Sequence, residues 1–311
     1  MSKKSNKDSL GDRMKEYEAC SKTKLMRRGY TMIRIDGKAF HTYTEHLKRP
    51  FDHGLIEDLD ETAIYLCKHI QGAKAAFVQS DEISILITDF DKINTSAWFD
   101  NSVQKMCSIA SSMATAQFNK LRYVRAINNQ DKGANLAKVI MAMRMGEFDA
   151  RVWQLPNKSE VLNYFIWRQQ DTVRNSISTV AQSMFTHGTK NSQLYKKSCN
   201  DMQEMMFQKG TNWNDFDAKL KRGRLITKEV VVPKECQDIL DQVEVLQARK
   251  VLEIKDQEYD KANDTYDEEI TLANEYTLKM IEVPRRTFWD SNGPDTFTET
   301  NGRAYMERLI P

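Results

Sequence analysis

Thr31-Met32-Ile33-Arg34-Ile35-Asp36-Gly37-Lys38-Ala39-Phe40-His41 is the first of two stretches that decide how the rest of this chain is read. The second is Ala75-Ala76-Phe77-Val78-Gln79-Ser80-Asp81-Glu82-Ile83-Ser84-Ile85-Leu86-Ile87. Each carries a carboxylate at the end of an apolar run, where a strand meets a turn. From Thr31 to Asp36, Ile33 and Ile35 fall on one side of a strand and Arg34 and Asp36 on the other. Gly37 then permits a close backbone approach. In the second stretch Phe77 and Val78 begin one strand, Ser80-Asp81-Glu82 forms a bend, and Ile83, Ile85 and Ile87 alternate in the next.

Between the two stretches, Leu55, Ile56, Leu59, Ala63, Leu66, Cys67 and Ile70 recur at helical spacing until Gly72. The order strand, helix, strand, strand predicts an α+β sandwich with helices over one face of the sheet. Its crossover is long enough to make the Asp36 strand a neighbour of the hairpin. Further helices are predicted from Leu10 to about Arg28, Thr95 to Leu121 and Glu160 to Met184. Strands are predicted around Glu147 to Val152, ending before Pro156, and from Leu225 to Val232. From Cys236 to about Tyr276 the apolar positions Ile239, Leu240, Val243, Leu246, Val251 and Ile254 are spaced for a helical hairpin or partner-contact arm.

A length of 311 residues allows one large domain or two smaller ones. With 40% hydrophobic and 29% charged residues, the composition is that of a soluble globular protein. No apolar run reaches the roughly 18 residues of a membrane span, and the basic N-terminus lacks the apolar core of a secretory signal. The five cysteines lie far apart with no C-x-x-C pair, which argues against zinc and disulfides and fits a reducing cytoplasm. The net charge of +2 hides an asymmetry: Glu235 to Glu282 holds 14 acidic and 5 basic residues, the remainder 41 basic and 30 acidic. A basic body with an acidic appendage is compatible with a polyanionic partner such as RNA, although mixed solvated surfaces are the plainer reading.

Acidic ligands from separate strands are what phosphoryl or nucleotidyl transfer needs to hold Mg²⁺ against a triphosphate. Asp36, Asp81 and Glu82 provide them, and the Gly37 carbonyl can add a ligand. The plainer reading is a D-G turn pair and an S-D-E hairpin bend. Arg34, on the same strand face as Asp36, can neutralise phosphate charge or partner the carboxylates. Lys105, Ser108 and Ser112 share one helical face, suited to a phosphate chain or simply to solvent. Trp167-Arg168-Gln169-Gln170-Asp171 with Arg174-Asn175-Ser176 gives a polar helix face of the kind that holds nucleic-acid backbone, or that lies at a subunit interface. Lys219, Lys221, Arg222 and Arg224 present positive charge for phosphates or form a solvated loop. No Ser-His-Asp or Cys-His set has motif context, and no G-x-x-x-x-G-K-[ST] sequence occurs.

Taken in order, these stretches resemble the tRNA-histidine guanylyltransferase superfamily, in particular its guanylyltransferase-like branch. I-R-I-D-G-K-A-F-H is similar to the family's R-x-D-G-R-x-F-H. Q-S-D-E-I-S-I-L, K-M-C-S-I-A-S-S, F-D-A-R-V-W-Q-L-P, W-R-Q-Q-D-x-x-x-N and N-W-N-D-F-D-A-K-L-K-R-G-R follow, covering roughly residues 30 to 230. The resemblance implies a polymerase palm-like antiparallel sheet with packed helices, acting as a 3′→5′ nucleotidyltransferase on tRNA. A 5′-phosphate is activated with ATP or GTP, and the 3′-hydroxyl of an incoming NTP then attacks it. By position, Asp36, Gly37 and Asp81 are implied ligands of two Mg²⁺ ions, with Glu82 a supporting carboxylate. Lys38, Ala39, Phe40, His41, Ser80, Arg49, Lys105 and Ser108 are implied in nucleotide binding. Arg34, Arg168, Asn175, Lys219, Lys221 and Arg222 are implied in RNA binding. A catalytic part over residues 1–155 and a helical or mixed part over 156–311, with an acidic insert at about 235–282, are expected, as is a homotetramer with no membrane contact.

Departures from the family pattern refine the substrate. Where eukaryotic tRNA-histidine enzymes carry H-I-N-N-L-Y-N, this chain has Val173-Arg174-Asn175-Ser176-Ile177-Ser178-Thr179. An arginine found in those enzymes is absent near Asn101-Ser102, and Arg49 replaces a lysine. Template-directed repair of 5′-truncated tRNA is therefore expected over strict addition of one G to histidine tRNA. A palm-type cyclase lacks its G-G-D-E-F turn here, and a non-catalytic RNA-binding module would have no need of the carboxylates.

Overall fold

The computed structural model describes residues 9–128, 144–186, 188–190, 192–230, 234–256, 258–282 and 287–311. Two compact units emerge, one of residues 1–227 with 289–311 and one of residues 228–288.

The first unit is built on a sheet. Strand β1 (Tyr30–Gly37) pairs antiparallel with β3 (Glu82–Ile87) on one side and β4 (Phe148–Leu155) on the other. Strand β2 (Ala73–Gln79) lies between β3 and β5 (Arg224–Val230), and β6 (Thr287–Asn292) completes the order β4-β1-β3-β2-β5-β6. The sequence-predicted neighbours are thus in register, with Asp36 directly opposite Glu82 and Gln79 also opposite Glu82.

Strand alternation sorts the two faces. Ile33, Ile35, Ile83, Ile85 and Ile87 pack with helix α3 (His53–His69) and helix α4 (Val103–Asn128), which contribute Leu59, Leu66, Met106, Ala110, Ala114 and Phe118. The small alanines at one-turn spacing let α4 sit close to the sheet. Met32, Phe77 and Leu86 point the other way, against Val161, Tyr164 and Phe165 of helix α5 (Lys158–Met184) and Met306 of helix α10 (Thr300–Leu309). Helices therefore cover both faces, where the sequence pointed to one. The long polar face of α5 masked its apolar stripe.

Two helices differ from expectation for a backbone reason. Phe99, Asp100 and Asn101 have φ of 48°, 52° and 56°, left-handed values a right-handed helix cannot contain, so α4 starts at Val103 rather than Thr95. That turn is clamped by the chain after helix α1 (Leu10–Ala19): Asp100 pairs with Lys24 and Arg27, the Asn101 amide donates to the Met26 carbonyl at 2.9 Å, and the Leu25 amide donates to the Asn101 carbonyl at 3.0 Å. Committing residues 23–27 to these contacts ends α1 at Ala19.

The remaining short helices of the first unit are α2 (Phe40–Tyr43), α6 (Cys199–Gln208) and α7 (Ala218–Arg222). The second unit carries α8 (Lys234–Lys255) and α9 (Tyr259–Glu282), the expected helical hairpin. Its helices are tied by Lys250 with Glu269, and by Thr265 Oγ1 donating to Glu253 Oε2 at 2.7 Å. Among the described residues no helix is long and apolar enough to cross a membrane.

Candidate active site

Strand β1 and the β2–β3 hairpin end together, and their ends surround a cavity of about 470 Å³. It is lined by Asp36, Gly37, Ala39, Phe40, His41, Thr44, Leu55, Ser80 and Asp81. The Gly37 amide donates to the Asp81 carbonyl at 3.2 Å, which joins the two carboxylate-bearing turns through the backbone. A Cβ on Gly37 would stand 2.3 Å from the Phe40 ring, so only glycine lets that ring fold back. Phe40 is buried in an aromatic set with Tyr43, Phe118 and Phe148, at centroid distances of 4.9, 5.6 and 5.1 Å. Ala39 and Ser80, both lining the cavity, hold the left-handed backbone at φ 53° and 45°. Non-glycine residues in that region cost energy and are kept where the surroundings fix them.

The electrostatics are one-sided. Burial, with the negative charges of Asp36 and Glu82 beside it, pushes the Asp81 carboxyl up to about 6, against the opposing effect of its hydrogen bond with Ser80. Among the described residues neither Asp36 nor Asp81 forms an ion pair. Two carboxylates without a protein cation, backbone oxygen nearby and room for phosphate form a hard-oxygen donor set. Mg²⁺ is held in this way, by one or two carboxylates together with substrate phosphates and water. No set of three or more His, Cys, Asp or Glu side chains poised to hold a metal occurs among the described residues, so an all-protein cage is not on offer.

Glu82 is placed differently. It is buried on the α5 face, where Arg168 Nε and Nη2 donate to its two oxygens at 2.8 and 2.7 Å and Ser84 Oγ donates at 3.1 Å. Arg168, expected at an RNA surface, is only 5% exposed and gives its remaining reach to Asp171 at 3.1 Å. Its guanidinium stacks on Trp167, 4.4 Å from the ring centroid. Asn175 does lie at the surface.

Lys38 is exposed and turns to Glu147 at 2.6 Å. Arg49, Lys105 and Ser108 are exposed and do not line the cavity. The basic cluster is folded inward: Lys219 Nζ donates to the Ser291 carbonyl at 2.7 Å, Lys221 Nζ to the Asn214 carbonyl at 2.6 Å, and Arg222 Nε to the Pro294 carbonyl at 2.9 Å. Arg224 is buried against Asp60 at 2.6 Å. These bonds to neutral carbonyls fix the direction of Lys219, Lys221 and Arg222, which stay partly exposed and keep their positive charge.

Arg34 sits on the α5 face with its Nε buried and without a hydrogen-bond partner among the described residues. Directly across the strands stands Arg151. Like charges abreast on neighbouring strands repel; Asp149, 3.8 Å from Arg151 Nε, offsets part of that repulsion, and an anion at Arg34 would offset the rest. Arg151 was not singled out in the sequence, although it shares the parity of Arg34 in its strand. Thr44 and Leu55 were also missed as cavity residues; Leu55 reads as an ordinary apolar helix position. The helical hairpin holds a larger hollow, about 790 Å³, lined by Val245, Leu246, Leu272 and carboxylates such as Asp241 and Asp264. Like-charged side chains around an apolar floor offer no arrangement for nucleotide chemistry.

A sheet that brings two carboxylates without an ion-pair partner among the described residues to one cavity is an arrangement suited to an enzyme that handles metal-bound nucleotides. The family model described as Thg1, tRNAHis guanylyltransferase, matches residues 11–156. A solved bacterial tRNA(His) guanylyltransferase (Thg1)-like protein in complex with ATP superposes with a TM-score of 0.69 at 34% identity, covering 97% of this chain and 99% of that one. A structure of a bacterial Thg1-like protein in complex with GTP gives a TM-score of 0.66 over the same shares. The tRNA(His) guanylyltransferase of Debaryomyces hansenii is 26% identical over 248 residues, 76% of this chain and 88% of that protein. The chain belongs to the Thg1 superfamily and is a tRNA guanylyltransferase-like nucleotidyltransferase.

Proposed function

We propose that this protein is a Mg²⁺-dependent 3′→5′ nucleotidyltransferase that repairs the 5′ end of tRNA against the opposing strand. The observation that carries the reading is the cavity at the strand ends, with Asp36 and Asp81 unpaired and Gly37 backbone oxygen beside them. Asp36, Asp81 and the Gly37 carbonyl would hold the cations. When bound, Mg²⁺ supplies charge neutralisation on the triphosphate and lowers the barrier to attack by a hydroxyl.

The protein's own groups do the rest. Ala39, Phe40, His41 and Ser80 shape the nucleotide pocket, and burial around Asp81 keeps water from screening its charge. Arg34, with the neighbouring Arg151, offers guanidinium donors to the 5′-phosphate. In the first step the RNA 5′-monophosphate displaces pyrophosphate from ATP or GTP, giving a 5′–5′ linked nucleotide. In the second, the 3′-hydroxyl of the incoming NTP attacks the RNA 5′-phosphorus and the nucleoside monophosphate departs. A 5′-triphosphate end enters at the second step and releases pyrophosphate.

Val173 to Thr179 in place of H-I-N-N-L-Y-N supports repair over strict histidine-tRNA guanylylation. A 5′-extension assay comparing full-length histidine tRNA with a tRNA lacking its first nucleotide, each with 5′-monophosphate and 5′-triphosphate, tests this. Preferred extension of the truncated tRNA is expected. Addition of a single G to histidine tRNA alone would contradict it. Assembly as a homotetramer belongs to the same proposal, and light scattering reads it directly.

A further inference from the structure

Helix α5 reaches beneath the carboxylate hairpin and holds both of its feet. Gln79 and Glu82 close the two-residue Ser80-Asp81 turn and face each other across β2 and β3. Arg168 takes Glu82 with two parallel bonds, at 2.8 and 2.7 Å. Thr172, one turn further along α5, shares its hydroxyl proton between Gln79 Oε1 and the Arg168 carbonyl, the latter at 2.9 Å. One turn the other way, the Tyr164 hydroxyl and Ser84 Oγ are 2.8 Å apart, and Ser84 donates to Glu82. Residues 164, 168 and 172 thus form one ridge of the helix, aimed at the hairpin end of the sheet.

Every member of this set is buried, from Ser84 at 0% to Tyr164 at 8% exposure. Further along the same sheet face Met32, Phe77 and Leu86 meet Val161 and Phe165 in apolar packing, with Arg34 and Arg151 the charged neighbours. A buried ion pair is a poor source of net stability compared with apolar packing, but it fixes direction. The bidentate geometry leaves Glu82 one orientation, and the Thr172 contact does the same for Gln79. Between them Ser80 is held at φ 45°, a conformation that persists only when its flanks are constrained.

We propose that Arg168 and Thr172 are positioning residues that set the direction of the Asp81 carboxylate through Glu82 and Gln79. Glu82 then anchors this bracket and is not a cation ligand. The inference rests on the reading of Asp36 and Asp81 as the cation site.

The test is binding of Mn²⁺ alone to the full chain, with the free ion counted by its EPR signal and folding followed by thermal melting. Arg168→Lys keeps the charge and loses the two-pronged geometry; Thr172→Val removes the hydroxyl. Both are expected to weaken Mn²⁺ binding by up to about 10-fold, the low end of the roughly 10- to 100-fold loss seen when a partner bonded directly to a metal ligand is removed, because they act one residue further back. Arg125→Lys, in the separate, partly buried network of Asp58 with Arg122 and Arg125, lowers the melting temperature and leaves Mn²⁺ affinity unchanged. Unchanged affinity in the folded Arg168→Lys and Thr172→Val proteins overturns the proposal, as does an equal loss in Arg125→Lys. Should Arg168→Lys not fold, Thr172→Val decides alone. If Asp36→Asn leaves the parent's Mn²⁺ binding intact, the cation site itself is refuted, an outcome distinct from failure of the bracket.

Discussion

Two charged clusters of the first unit have opposite fates. Lys219, Lys221 and Arg222 look in the sequence like an open cationic patch, yet each gives a donor to a backbone carbonyl of its own unit. Asp36 and Asp81 look like ordinary turn residues, yet they stand in a cavity without an ion-pair partner among the described residues. Charge density does not mark the site; carboxylates gathered at one cavity do. A partly buried carboxylate without a cation raises the free energy of the fold, and a ligand that brings the cation recovers it.

The largest effect expected is at Asp36. Asp36→Ala abolishes nucleotide addition to tRNA while the melting curve stays cooperative; substantial Mg²⁺-dependent addition by this variant would break the contrast between the two clusters. Next is Gly37→Ala. Its methyl meets the Phe40 ring at 2.3 Å, so the ring must leave the aromatic set, at a cost of roughly 1–3 kcal/mol for overpacking. Denaturant unfolding checks the stability, and an ATP-binding titration checks for the accompanying loss of the pocket. The smallest effects belong to the basic cluster. Lys221→Ala and Arg222→Ala each lose a hydrogen bond from a charged donor, worth about 1.5–3 kcal/mol at most. Thermal melting shows that loss, and the salt dependence of tRNA binding keeps its slope. A shallower slope would return these residues to the RNA interface.

Much of the site was legible because strand parity and turn chemistry are local. Ile33, Ile35, Ile83 and Ile85 declare one face, and Asp36 and Asp81 sit where the alternation stops. The helical hairpin was equally legible from its unbroken apolar spacing. The fates of Arg168 and Glu82 were not. They are 86 positions apart, and nothing in either local pattern shows that one will bury its guanidinium against the other. The anchoring of the cationic run at Lys219 was hidden for the same reason: the carbonyls of Ser291 and Pro294 that accept its hydrogen bonds lie 72 residues away. The late start of α4 was hidden too, since three successive left-handed residues have no glycine to announce them.

Asp81→Asn tests the central claim most directly, because stability and activity should move in opposite directions. Burial raises the Asp81 carboxyl from 3.8 to about 6 in the folded chain. The folded state therefore binds the extra proton between about pH 4 and 6, and stability falls as pH rises through that window. Above it the full penalty is present, about 3 kcal/mol, since each tenfold change in proton affinity is worth about 1.36 kcal/mol. In EDTA at pH 7.5, Asp81→Asn should melt at a higher temperature than the parent, and the gain should vanish near pH 4. The same protein, supplied with Mg²⁺, labelled GTP and 5′-truncated tRNA, should add no nucleotide. A variant that is no more stable than the parent, or that still extends the tRNA, would contradict the account.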